Sequence, residues 1–286
     1  MTMINKINNY FKTSGQNVFD IAMYHNGECT YSTVNSACAC QNSYSISKSI
    51  ISIAVGIAQS EGYLSVDDHI VKYLSSDLPE IYDDKLKDVT VKHLLTMSMG
   101  QGEGYLFESD RYTYNEKNWL KLCLSKPLEH NPGERFVYSN SCYYLLSCLL
   151  HKATGRDTLD YVARKIFMPL MIDCYAWERC PRGEIIGATG LYISSADLLK
   201  IGIMCLDGGK APNGDTIVNA AYLSEATKIQ APNAKYGYGF WIGNDCYKAV
   251  GSHSQTIDVF PEKRLVFAAH AFEDNIKYED ILKQIL

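Results

Sequence analysis

The sequence lacks most of the common enzymatic fingerprints. It has no G-x-S-x-G nucleophile elbow; the nearest approach is Ala58-Gln-Ser60-Glu-Gly62. It has no P-loop, and Gly237-Tyr-Gly239 fails the dinucleotide pattern because the third glycine, Gly243, falls one residue late. The ten cysteines include no C-x-x-C, and the seven histidines show no metal-binding spacing, so no metal or organic cofactor is called for. No apolar run approaches the roughly 20 residues of a membrane span, and residues 50–58 are broken by Ser52 and Gly56. No signal-type stretch follows Met1, which points to a cytoplasmic protein. Charge is sparse at 21%, and the balance of 27 basic against 32 acidic residues gives no reason to expect nucleic acid or an anionic membrane as partner.

What is abundant is apolar and aromatic. Of 286 residues, 47% are hydrophobic and 21 are tyrosine, enough for a large core and too many for a disordered chain. Cys142 and Cys148 fall inside the run SCYYLLSCLL, where a thiol serves as a small hydrophobe, and reduced, mostly buried thiols are expected. Cys38-Ala-Cys40 is the exception, a pair open to a redox or metal role but without a third ligand nearby.

Strand patterns lie at the two ends. The runs VFDIAMY (18–24) and ECTYSTV (28–34) flank His25-Asn26-Gly27, a strong hairpin signal. Near the other end, residues 247–251, 255–260 and 264–271 read as three more strands, followed by a helix over 273–286. The middle is helical, over 45–60, 91–97, 117–124, 141–153, 158–167 and 195–206. The expected fold is therefore α/β of the α+β type: one domain over 1–286, with an antiparallel sheet built from both chain termini (1–44 and 235–286) and an inserted helical subdomain (45–234). A site is expected in the cleft between the two layers.

Two short motifs carry chemistry. Ser45-Ile-Ser47-Lys48 is the sole S-x-x-K, and an apolar helical stretch begins just after it. Ser45 would then sit in the first turn of a buried helix, where backbone amides and the helix dipole favour a developing oxyanion. Lys48 shares its helix face, and a desolvated lysine can act as a base toward serine. The bland alternative is a capping serine with a solvated lysine. Tyr138-Ser139-Asn140 follows a turn and precedes a helix, so a phenol there could shuttle a proton while Asn140 holds Lys48 or a substrate amide.

Ser45-x-x-Lys48, TVKHLLTMSMG (90–100), NPGERFVYSN (131–140), ATGLYISSADLLKIG (188–202), YGYGFWIG (236–243) and GSHSQTIDVFPEKRLVF (251–267) occur in one order. In that order they resemble the serine β-lactamase and penicillin-binding-protein superfamily, above all its class C-related esterases and peptidases. The resemblance implies a β-lactamase/transpeptidase-like fold, Ser45 as the acylated serine, Lys48 as general base and Tyr138 serving the leaving group. Asn140 matches the third residue of the tyrosine motif. The oxyanion hole would pair the Ser45 N–H with one near Ser252, and Ser252 and Ser254 would contact substrate. No K-T-G or K-S-G occurs; Gly251-Ser-His253-Ser-Gln255 stands in its place and resembles histidine-containing esterase and amidase variants. His253, otherwise a locally bonded turn residue, would replace a permanent cation with a group titrating near neutrality, which weakens the case for acidic, penicillin-like substrates.

The function this implies is a serine hydrolase acting on a small ester, peptide or amide. A β-lactamase or D-alanyl-peptide hydrolase is one alternative, and a non-catalytic binder of acyl or peptide ligands is another. The stretch 105–119, rich in tyrosine, either lines the cleft mouth or forms a plain surface loop.

Overall fold

The computed structural model describes residues 2–35 and 40–285; Cys38 of the Cys38-Ala-Cys40 pair lies outside the described residues. The chain opens with helix α1 (Met3–Ser14), strands β1 (Val18–His25), β2 (Glu28–Thr33) and β3 (Gln41–Asn42), and helix α2 (Ile46–Ser60). Helices α3 (Val71–Leu74), α4 (Val91–Leu95), α5 (Trp119–Leu124), α6 (Asn140–Thr154) and α7 (Thr158–Val162) follow. Then come β4 (Ala176–Trp177), β5 (Leu191–Ile193), α8 (Ser195–Leu206), α9 (Ala220–Ala226), β6 (Trp241–Ile242), β7 (Tyr247–Gly251), β8 (Gln255–Phe260), β9 (Leu265–Ala271) and α10 (Tyr278–Ile285).

The main sheet runs β2-β1-β9-β8-β7-β6 and is antiparallel throughout. Its centre joins the two ends of the chain: β1 pairs with β9 from Val18↔Ala271 to His25↔Leu265. The architecture is thus α+β with the sheet formed from both termini, as the strand-rich ends imply. A small second sheet, β3-β5-β4, was not legible from periodicity because its strands are two or three residues long.

Side-chain alternation explains the layering. On β1, Ala22 joins the large core beneath α2 and α8, while Ile21 and Met23 point into a smaller core. On β9, Val266 and Ala268 face the former, and Leu265, Phe267 and Ala269 the latter. Helices α1 and α10 cover that smaller core with Ile4, Ile7, Phe11, Ile281 and Leu282. Each such buried side chain contributes roughly 1.5–3 kcal/mol, so the terminal helices clamp the sheet that carries the cleft. Helix α2 is buried from Ile46 to Ala58 on all sides, the mark of a central helix rather than a surface one.

The last helix starts at Tyr278, later than the expected 273. The amide of Ile276 is bonded instead to Ser254 Oγ at 3.1 Å, which holds the preceding segment irregular. The expected helix over 158–167 is α-helical only to Val162 and continues as a π turn over Ala163–Phe167. Among the described residues, no helix is long and apolar enough to cross a membrane.

Candidate active site

The site is built where β3 turns into α2. Ser43 is fixed on β5 by two bonds to the Leu191 carbonyl, from its amide at 2.7 Å and its hydroxyl at 2.8 Å. The Tyr44 amide donates to Asn42 Oδ1 at 2.9 Å, and Tyr44 adopts a left-handed backbone with φ 47°. A non-glycine residue held there costs on the order of 1 kcal/mol or more, and the bend it makes delivers Ser45 to the mouth of α2. The amides of Ile46, Ser47 and Lys48 are engaged by the carbonyls of Ser43, Tyr44 and Ser45. Gly251, at the end of β7, lies against this bend: a Cβ there would stand 2.3 Å from the Ser43 carbonyl oxygen. Only glycine lets the strand approach so closely.

One turn into α2, Lys48 is 1% exposed. Its Nζ is 2.8 Å from Ser45 Oγ, 2.7 Å from Asn140 Oδ1 and 2.8 Å from the Ala188 carbonyl oxygen. Burial pushes the Lys48 ammonium down to about 7, against a smaller opposing influence from Cys142. A neutral amine has two N–H donors and one lone pair. Two carbonyl oxygens and one hydroxyl satisfy that inventory with nothing left over, the lone pair facing Ser45.

Tyr138 and Asn140 come from the loop that starts α6. Ser139 caps that helix, its hydroxyl accepting from the amides of Tyr105 at 3.0 Å and Ser141 at 3.3 Å. The cap orients Asn140, whose Nδ2 donates to the Leu106 carbonyl at 3.0 Å and whose Oδ1 faces Lys48. The Tyr138 ring centroid lies 4.9 Å from Lys48 Nζ. Burial pushes its phenol up to about 12, with the Ser45 hydroxyl pulling the other way, so the phenol keeps its proton at neutral pH.

Ser45, Tyr138, Asn140 and Ser252 line one cavity of about 570 Å³, with Lys48 buried at its base. Tyr44, Phe107, Glu108, Thr189 and Trp241 also form part of its wall. His253 and Ser254 are placed elsewhere, in an adjoining cavity of about 710 Å³ that shares Glu108, Val250, Gly251 and Ser252 with the first. The His253 ring stacks on Phe272 at 4.4 Å, meets Tyr44 edge-on at 5.3 Å, and has Asp274 3.5 Å from its Nδ1. Ser254 accepts from the Ile276 amide through its hydroxyl and from the Tyr278 phenol through its carbonyl, so both groups serve the approach to α10.

Sequence reasoning overlooked two contributors. The Ala188 carbonyl is a backbone group with no side-chain signature. Trp241 sits in the block 236–243 with nothing to mark it, yet its ring stacks against Tyr138 at 6.0 Å and 13°. The stretch 105–119 does reach the cleft, through Phe107, Glu108 and Ser109.

The sequence profile described as Beta-lactamase matches residues 40–274, most of the chain. The chain belongs to the Beta-lactamase family. That family is one of serine hydrolases, of the β-lactamase and penicillin-binding type. An uncharacterized protein of Alkalihalophilus pseudofirmus is 28% identical over 66% of this chain and 54% of its own length. A putative D-alanyl-D-alanine carboxypeptidase of Escherichia coli O157:H7 is 30% identical over 39% of this chain and 27% of its own. The chain therefore spans about half or less of these curated relatives. A putative 6-aminohexanoate-dimer hydrolase from Bacillus anthracis superposes with TM-score 0.82 at 15% identity, covering 98% of this chain and 82% of that one, which establishes a shared fold.

Proposed function

We propose that this Beta-lactamase family member hydrolyses a small ester, or a peptide or amide, through an acyl-enzyme on Ser45. The observation that carries the reading is the buried Lys48 side chain, 2.8 Å from Ser45 Oγ, whose ammonium burial lowers to about 7 so that a large share is neutral at that pH. Lys48 takes the proton as Ser45 Oγ attacks the carbonyl carbon. The resulting oxyanion rests on the Ser45 amide and on one from Gly251–Ser252, which line the same cavity. Tyr138, protonated because burial lifts its phenol to about 12, hands a proton to the leaving oxygen or nitrogen as the carbonyl re-forms, and the proton that Lys48 took from Ser45 replaces it. Water then attacks the Ser45 ester, releasing the acid and freeing the hydroxyl. His253 reaches substrate only where it extends into the adjoining cavity, and Ser252 forms the border between the two.

Penicillin-like and D-alanyl substrates rank lower. Their carboxylate needs a fixed cation beside the nucleophile, and among the described residues none lines the Ser45 cavity. Lys248 belongs to the adjoining cavity and is paired with Glu279. A purely binding role gives no reason to bury a lysine against a serine, since burying it costs stability.

The test is turnover of 4-nitrophenyl esters, anilides and a chromogenic cephalosporin by the wild type and Ser45→Ala. Ester or anilide turnover lost in the variant supports the reading. Turnover that survives in Ser45→Ala, or activity confined to the cephalosporin, contradicts it.

A further inference from the structure

The wall of the Ser45 cavity has an unusual make-up. Four aromatic rings line it, from Tyr44, Phe107, Tyr138 and Trp241, and Glu108 is the one charged residue among its described lining residues. Tyr138 runs nearly parallel to both Phe107 and Trp241, 13° from each, with centroids 6.4 and 6.0 Å away. Tyr138 already faces Lys48 Nζ at 4.9 Å, so it is the rings of Tyr44, Phe107 and Trp241 that, with the carboxylate, form a site for a ligand cation, since ring faces carry negative quadrupole charge and the carboxylate a full one.

Glu108 is only loosely paired. Its side chain is 51% exposed, and the cation beside it, Arg111, approaches only to 3.7 Å. The Arg111 guanidinium is 2% exposed and bonds Glu178 at 2.7 Å, so one positive charge stands between two carboxylates and leaves a net negative one. The adjoining cavity adds Asp258, Asp274, Glu279 and Asp280 against Lys248 and Lys277, so the surroundings do not reverse the sign. Glu108 also acts on the bend that holds the nucleophile: after burial, its charge is the next cause raising the phenol of Tyr44, the residue before Ser45.

Resting on the reading of Ser45 as the acylated residue, we propose that the cleft selects esters or amides carrying an ammonium group, and that Glu108 sets this preference. A carboxylate-bearing substrate meets only like charge on the same wall.

The test uses 4-nitrophenyl esters whose acyl chains end in trimethylammonium, in its uncharged carbon isostere, or in carboxylate, each with two to five methylenes. The ratio of kcat/KM for the ammonium ester over its isostere is measured for the wild type, Glu108→Gln and Glu108→Lys, with thermal melting to establish folding. At the best chain length the wild type is expected to favour ammonium roughly tenfold, less in half-molar salt. Glu108→Gln should bring the ratio near unity, and Glu108→Lys should favour the carboxylate. A wild-type ratio of one or below, or a ratio unchanged in Glu108→Gln, overturns the proposal while leaving Ser45 catalysis intact. No turnover of any ester in the series or of the matching anilides overturns the hydrolase reading itself, and this inference with it.

Discussion

Lys48 Nζ lies 2.8 Å from Ser45 Oγ, and its other two partners, Asn140 Oδ1 and the Ala188 carbonyl, are oxygens that can only accept. A neutral Lys48 spends both N–H groups on those two oxygens and has its lone pair left for the serine proton. Burial makes the neutral form accessible, because moving the ammonium out of water disfavours it.

The pH dependence follows. With Lys48 titrating at about 7, acylation of Ser45 should rise tenfold per pH unit below that value and level off above it. Stopped-flow acylation by a 4-nitrophenyl ester measures the midpoint. Lys48→Met should lower kcat/KM by roughly 10³-fold.

Stability should carry the same signature. Folding lowers the Lys48 value, so between about 7 and 10.5 the unfolded chain holds the extra proton and stability rises with pH. Below 7 both states are protonated and the dependence vanishes. The wild type should therefore gain on Lys48→Met by up to about 1.4 kcal/mol per pH unit across that window, read from urea melts.

Tyr138→Phe separates leaving groups. A 4-nitrophenolate departs without a proton, whereas an anilide nitrogen needs one. The variant should lose only a few-fold on the nitrophenyl ester and roughly 10²-fold on the anilide. Equal losses on both would remove Tyr138 from the proton path.

At Gly251, a methyl group would stand 2.3 Å from the Ser43 carbonyl oxygen, which is backbone and cannot swing aside. Gly251→Ala should force β7 away from the turn before Ser45, costing about 1–3 kcal/mol and most of the acylation rate. Melting and stopped-flow acylation report the two effects separately.

His253 stacks on Phe272 outside the Ser45 cavity. Its removal in His253→Ala should raise KM for extended substrates more than it lowers kcat. Steady-state kinetics with short and long acyl chains measure the split.

Much of this was readable from residue order. The strands 247–251 and 255–260 and the helix 195–206 coincide with β7, β8 and α8 because each has a clear period bounded by a turn or a cap, such as Ser194 accepting from the Asp197 amide. Ser45, Lys48, Tyr138 and Asn140, which spacing and adjacent helices marked as candidates, do lie together. The Ala188 carbonyl was not, since any residue has one and only the tertiary path brings it to Lys48. Glu108 was hidden for a related reason: its proposed role lies in being the one charge among the described lining residues, beside rings brought in from Tyr44, Tyr138 and Trp241. The strands of β3, β4, β5 and β6 are too short to show a period at all.

The most direct measurement is intact-protein mass spectrometry after exposure to a fluorophosphonate, with peptide mapping and Ser45→Ala alongside. The expected result is one adduct, on Ser45, absent from the variant and forming with a pH midpoint near 7, where burial places Lys48. A folded wild type that takes no adduct, or an adduct that persists in Ser45→Ala, would contradict the assignment of Ser45 as the activated nucleophile.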